Sequence, residues 1–133
     1  MKEILKKLFR REYQSDPPSS IKRKFKKTYP NAINEEWIED RDMWEAVFHD
    51  GNREKIVRIN HAGRILEHRI NITPGELPEK ILKFVSDKGE LMNVILIDKV
   101  GSTAWEIIYR DKKLDRYLII LDPDGMEISS RQL

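Results

Sequence analysis

The chain has 133 residues, enough for one domain that buries roughly two thirds of its unfolded surface. Hydrophobic residues make up 39% and charged residues 36%, a charge-rich mixture that still folds because its apolar positions recur in ordered patterns. The absence of cysteine excludes a disulfide framework, a thiolate nucleophile and any cysteine-held zinc or iron–sulfur centre.

The formal charge of +2 is unevenly spread: residues 1–28 carry ten Lys/Arg against three acids, Glu3, Glu12 and Asp16, and the rest of the chain is mildly acidic. Ile4, Leu5, Leu8 and Phe9 recur at helical spacing, so residues 2–13 read as a short amphipathic helix. This basic start lacks the apolar core of a secretory leader. The longest apolar run, residues 117–121, is far too short to span a bilayer. The expectation is a cytoplasmic protein, or one of the cell envelope or periplasm should Met1 stand in place of a removed leader.

Asp16, Pro17 and Pro18 stop this segment and start another, because proline is tolerated in a first helical turn. The second helix, about 18–28, puts Ile21, Phe25 and Tyr29 on one stripe. Lys22, Arg23, Lys24, Lys26 and Lys27 fall mostly elsewhere and form a candidate basic patch. Pro30 disfavours helical geometry at Tyr29 and ends the helix. Strand-like segments follow at 33–39, 43–49, 54–60 and 64–71, with "HDGN" and "NHAG" as hairpin turns. Trp44, Ala46 and Phe48 alternate onto one face, while Ile33, Glu35 and Trp37 alternate imperfectly and leave the face of Trp37 open.

After "TPGELP" the order repeats. "LPEKILKFVSDKG" is a helix with Leu77, Ile81 and Val85 inward and Gly89 placed to end it. Strands follow at about 91–99, 103–110, 115–121 and 126–132. Ile21 matches Ile81, Trp44 matches Trp105, Phe48 matches Tyr109 and Gly63 matches Gly125, at an offset of 60 to 62 residues. The reading is α+β: two copies of one helix plus four antiparallel strands. Residues 1–16 form a basic extension and 17–133 a single domain of two repeats, 17–73 and 74–133.

The Pro-led helix with "YPNA" after it, the aromatic strand "WEAVF" before a glycine turn, "LP" before the second helix and the terminal "DPDG" resemble the PepSY-like family, also described as β-lactamase-inhibitor-like proteins. The similarity covers about 17–133. It implies two helices packed on one curved antiparallel sheet, in bacterial proteins often exported to the envelope. Related domains bind or restrain enzymes, peptidases among them, and the family supplies no catalytic motif.

Several residues invite a chemical role. Asp122 and Asp124 before Gly125 resemble the opening of a calcium loop, yet no third ligand falls at the right step, so the reading is a turn with Asp capping backbone amides. His49 and His61 fall at opposite sheet ends, and His68 approaches His49 at most diagonally, too few ligands for zinc. Glu45 and Glu106 hold equivalent places but point away from the Trp face, as solvent-facing residues do, so no acid/base pair is expected. No phosphate loop, dinucleotide fingerprint or nucleophile–base arrangement is present, and no cofactor, metal or small-molecule substrate is implied.

The last strands are apolar on both faces. With Tyr117, Ile119 and Leu121 inward, Leu118 and Ile120 point outward beside Ile108, and residues 94–97 do likewise. Either the first helix folds back over this face with Ile4, Leu8 and Phe9, or a partner covers it. The expected function is therefore a non-enzymatic protein-binding module, contacting a hydrolase, a peptidase or a second copy of itself. Ile108, Leu118 and Ile120 are its candidate contact residues. The alternative is an anionic-surface binder, of membrane or nucleic acid, acting through the first 28 residues.

Overall fold

The computed structural model describes residues 16–133, so the helix expected over 2–13 lies outside the described residues. The chain divides into two compact units, Met1–Ile70 and Asn71–Leu133.

In the first unit, helix α1 (Ser19–Thr28) precedes strands β1 (Ile33–Asp40), β2 (Met43–Asp50), β3 (Arg53–Asn60) and β4 (Ile65–Ile72), each antiparallel to the one before. Pro18 stands at the N-cap and supplies no side-chain cap, but Lys26 and Lys27 in the last turn suit the negative end of the helix dipole. The helix ends at Tyr29, whose amide still donates to the Phe25 carbonyl before Pro30 intervenes. Ile21 and Phe25 are buried on Trp37, Trp44, Ala46, Phe48, Val57 and Ile59. Phe25 meets Trp37 and Phe48 edge to face, with ring centroids 5.1 and 4.9 Å apart, contacts worth about 0.5–1.5 kcal/mol each beyond burial.

The imperfect alternation in β1 has a structural cause. Ile33 pairs with His49, but Glu36 pairs with Val47, and Asn34 takes a φ of 56° in the irregular step. The extra residue resets the phase of the strand. Trp37 therefore joins Ala46 on the helix face, and Ile38 joins Glu45 on the other.

The second unit has a 3-10 turn, Pro74–Glu76, within the "TPGELP" that precedes its helix. Glu76 closes it by accepting a hydrogen bond from the Thr73 amide at 2.8 Å. Helix α2 (Glu79–Ser86) follows, then strands β5 (Glu90–Lys99), β6 (Ser102–Arg110), β7 (Arg116–Leu121) and β8 (Glu127–Gln132), again antiparallel in chain order. Leu77, Ile81 and Val85 pack on Val94, Ile107, Tyr109, Ile119 and Leu121. The helix ends at its C-cap Asp87, and Gly89 beyond it is glycine for a spatial reason. A Cβ there would sit 2.3 Å from the Arg110 carbonyl oxygen, so any side chain would force the backbones apart.

All eight strands and both helices of residues 16–133 fall within about two residues of the sequence reading at most boundaries. The architecture is α+β, two helices and eight antiparallel strands.

Candidate functional site

Three hairpin loops are built alike. In the turn after β3, the Asn60 Oδ1 accepts hydrogen bonds from the amides of Ala62 and Arg64, at 3.0 and 2.9 Å. In the turn after β6, the Asp111 Oδ1 accepts from Lys113 and Asp115, at 2.9 and 3.0 Å. In the turn after β7, the Asp122 Oδ1 accepts from Asp124 and Met126, at 2.9 Å each. The fourth residue of each is left-handed: Gly63 at 86°, Leu114 at 69° and Gly125 at 88°. One Asp122 oxygen thus serves the backbone as Asx-turn chemistry requires.

The histidines are separated by the pleat. His68 stands opposite Val57 on the helix face and stacks obliquely near Tyr29, with centroids 5.3 Å apart. His49 stands opposite Glu54 on the other face, and His61 lies in the turn after β3, near Trp44. Among the described residues no group of three or more His, Asp or Glu could hold a metal ion.

The outward faces are where the sequence reading needs correction. Glu45 and Glu106 do point away from the Trp face, but they are not solvent-facing: Glu45 is 0% exposed and Glu106 6%. Glu45 lies between Ile38 and Arg58 in the ladder, and its Oε1 is 3.3 Å from the Arg58 Nε. Glu106 lies between Ile95 and Ile120. Alternation predicts which face a strand residue joins. It does not say whether that face is wet.

The candidate contact residues share this situation. Ile108 and Leu118 stand directly opposite one another on the outward face, as expected, but they are 6% and 5% exposed, and Ile120 is half-buried. Substitutions at Ile108 or Leu118 therefore act on folding before they act on any contact.

The basic row is largely engaged with its own unit. Lys22 pairs with Asp16. Lys26 donates to the Ala32 carbonyl at 2.9 Å and lies 3.8 Å from Glu35. The Lys24 side chain runs over Gly63, its Cδ 3.0 Å from where a Cβ would stand. Beside this row an open groove of about 550 Å³ has Lys22, Arg23 and Lys26 on one wall and Glu35, Glu36 and Trp37 on the other. Its balanced charge gives no net attraction for an anion.

One surface was missed by the sequence reading. Strand β8 is exposed along its whole length, and among the described strands it pairs only with β7. Ile128 on it is 61% exposed, and Met126 and Leu133 beside it are exposed too. After the register shift near Leu121, residues 129–132 run regularly, with no proline or lysine to block the free edge. The signal was legible as "EISSRQ", a short polar strand.

The sequence matches no family model, and no curated protein is similar to it. Solved structures are similar in fold. A Bacteroides eggerthii protein described as a candidate periplasmic protein superposes with a TM-score of 0.81 at 19% identity, over 89% of this chain and 90% of that one. A DUF2874 family protein from Bacteroides ovatus gives 0.78 at 22% identity, over 89% of each chain. A BLIP-like protein from Bacteroides fragilis gives 0.76 at 18% identity, over 92% of this chain and 89% of that one. The chain therefore has the BLIP-like α+β fold.

Proposed function

We propose that this protein is a non-enzymatic protein-binding module whose contact surface is the free edge of β8. The observation that carries the reading is that edge: a strand exposed at every residue, with apolar Ile128 on it and neutral Ser129 and Ser130 next in line. An extended segment of a partner protein adds to such an edge through main-chain hydrogen bonds, with Ile128 as its apolar anchor. The likeness to a BLIP-like protein supports binding as the kind of activity, with a hydrolase or peptidase as partner class. The neighbour described as a candidate periplasmic protein supports the envelope as the compartment. The two units, with Gly63 against Ile21 and Gly125 against Ile81, are read as two copies of one structural plan.

The test compares proteins captured by wild type and by Ser129→Pro, which removes an amide and places a ring on the edge. A partner retained by wild type and lost by the variant, at matched melting temperature, supports the proposal. Equal capture by both overturns it. Sizing of the wild type shows whether the partner is a second copy.

A further inference from the structure

Strand β8 carries opposite charge at its two ends. Residues 122–128, the turn into the strand and its first positions, contain Asp122, Asp124 and Glu127 and no Lys or Arg. Residues 129–133 contain Arg131 and no acid. Arg116 of β7 stands beside this end, its carbonyl accepting a hydrogen bond from the Leu133 amide at 2.8 Å. Asp124, Glu127, Arg116 and Arg131 are exposed, and none has an ion-pair partner among the described residues. A second copy laid antiparallel along this edge matches each acidic end to a basic one, whereas a parallel copy sets like on like.

We propose that in the free protein the β8 edge is occupied by β8 of a second copy, the two strands running antiparallel about a two-fold axis through Ser130. The proposal rests on the reading of β8 as the contact edge and names its occupant. The register follows from the strand itself. Ser129, Ser130, Arg131 and Gln132 pair one to one with Ile120, Ile119, Leu118 and Tyr117, while Ile128 falls in the irregular step before them. Directly opposed residues of an antiparallel pair share a face of the sheet, so the axis passes through a residue and not between two. Only Ser130 and Arg131 have a regular neighbour on both sides. An axis at Arg131 sets two guanidinium groups opposite one another, and like charges so placed repel. An axis at Ser130 sets serine against serine and Ser129 against Arg131, with no charge facing its like.

Ile128, 61% exposed, lies two places from that axis, inside the paired stretch. Pairing also satisfies main-chain groups that the edge otherwise leaves to water. A foreign segment that adds to β8 must displace the second copy, so self-pairing sets a threshold that such a segment has to exceed.

The absence of native cysteine makes the test clean in the full-length chain. Ser129→Cys, Ser130→Cys and Arg131→Cys are made singly, checked for matched melting temperature and oxidised mildly. A disulfide needs Cα atoms within about 7 Å. A residue on the axis meets its own copy across one strand spacing, whereas one place off the axis the distance is about 8 Å. The expected result is a wild type that sizes as a concentration-dependent dimer, and Ser130→Cys linking to itself about tenfold faster than either neighbour. A wild type that stays monomeric at every concentration, with the three variants linking equally slowly, would overturn the proposal. A dimer without preferential linking at Ser130 would overturn it too, by placing the contact elsewhere. A different protein still captured through β8 by a monomeric wild type would remove self-pairing alone and leave the edge as the contact surface.

Discussion

The two units follow the same order of elements but spend their residues differently, and the contrast is sharpest between their free edges. In the first unit, β1 carries an irregular step at Asn34 and four acids, Glu35, Glu36, Glu39 and Asp40. A bulge and a run of charge are the devices by which proteins discourage another strand from pairing. In the second unit, residues 129–132 of β8 have neither. The first edge is charged along its length, while the second has its own irregular step at Ile128 and is uncharged at Ser129 and Ser130, which is why contact with a partner is proposed for the second.

The helix faces differ too. The first unit fills its core with rings, Phe25 against Trp37 and Phe48, while the second puts Val85 where Phe25 stands, in a cluster that is mostly aliphatic but includes Tyr109. Truncating both breaks the comparison most strongly. Phe25→Ala should cost about 3–5 kcal/mol, and Val85→Ala, which removes only two methyl groups, about 2 kcal/mol. Chemical denaturation of both variants measures this, and equal costs would show that the aromatic cluster adds nothing.

The three matched loops offer a finer comparison. Left-handed backbone costs a residue with a Cβ about 1–2 kcal/mol, so Gly63→Ala should lose that amount, and Lys24 Cδ must also shift. Leu114 already bears the cost in the equivalent place and is exposed. Leu114→Gly should therefore raise stability, by about 0.5–1 kcal/mol after the added freedom of the unfolded chain. A fall in melting temperature for that variant would mean that the leucine side chain has a contact worth more than the strain.

The smallest expected effect concerns alkaline pH and the second unit. Tyr109 and Tyr117 stack with centroids 5.3 Å apart. Burial raises the pKa of both phenols first, with Glu127 and Asp111 adding to Tyr109, and Asp111 and Asp115 to Tyr117. A raised folded-state value means that the folded protein holds these protons more tightly than the unfolded chain does. The associated stability is complete below the ordinary tyrosine value, near 10, and declines as pH rises through the folded values. Melting temperatures from pH 9 to 11.5 should fall less steeply for Tyr109→Phe/Tyr117→Phe than for wild type. Parallel curves would contradict the assignment.

The order of elements was legible because the periods are plain: Ile21, Phe25 and Tyr29 step by four, and Trp44, Ala46 and Phe48 by two. Trp37 was not placed because a bulge is invisible in an alternation that it interrupts. The loop between the strands at 103–110 and 115–121 was placed, but its likeness to the other two was hidden, since the left-handed position that glycine marks in them carries Leu114 here. The outward faces were misread at Glu45 and Glu106 because burial there depends on tertiary cover, and a carboxylate in a strand ordinarily signals water. The candidate contact residues Ile108 and Leu118 stand opposite one another and are buried, which alternation by itself does not foretell.

The open-edge account is tested most directly by photo-crosslinking from matched positions on the two edges. Ile33 on β1 and Ile128 on β8 are both apolar and similarly exposed, at 58% and 61%. A benzophenone amino acid is placed at one or the other in the full-length chain and irradiated in cells. Defined protein adducts from position 128 and none from 33 are the predicted result. Adducts of equal yield from both, or from 33 alone, would contradict it.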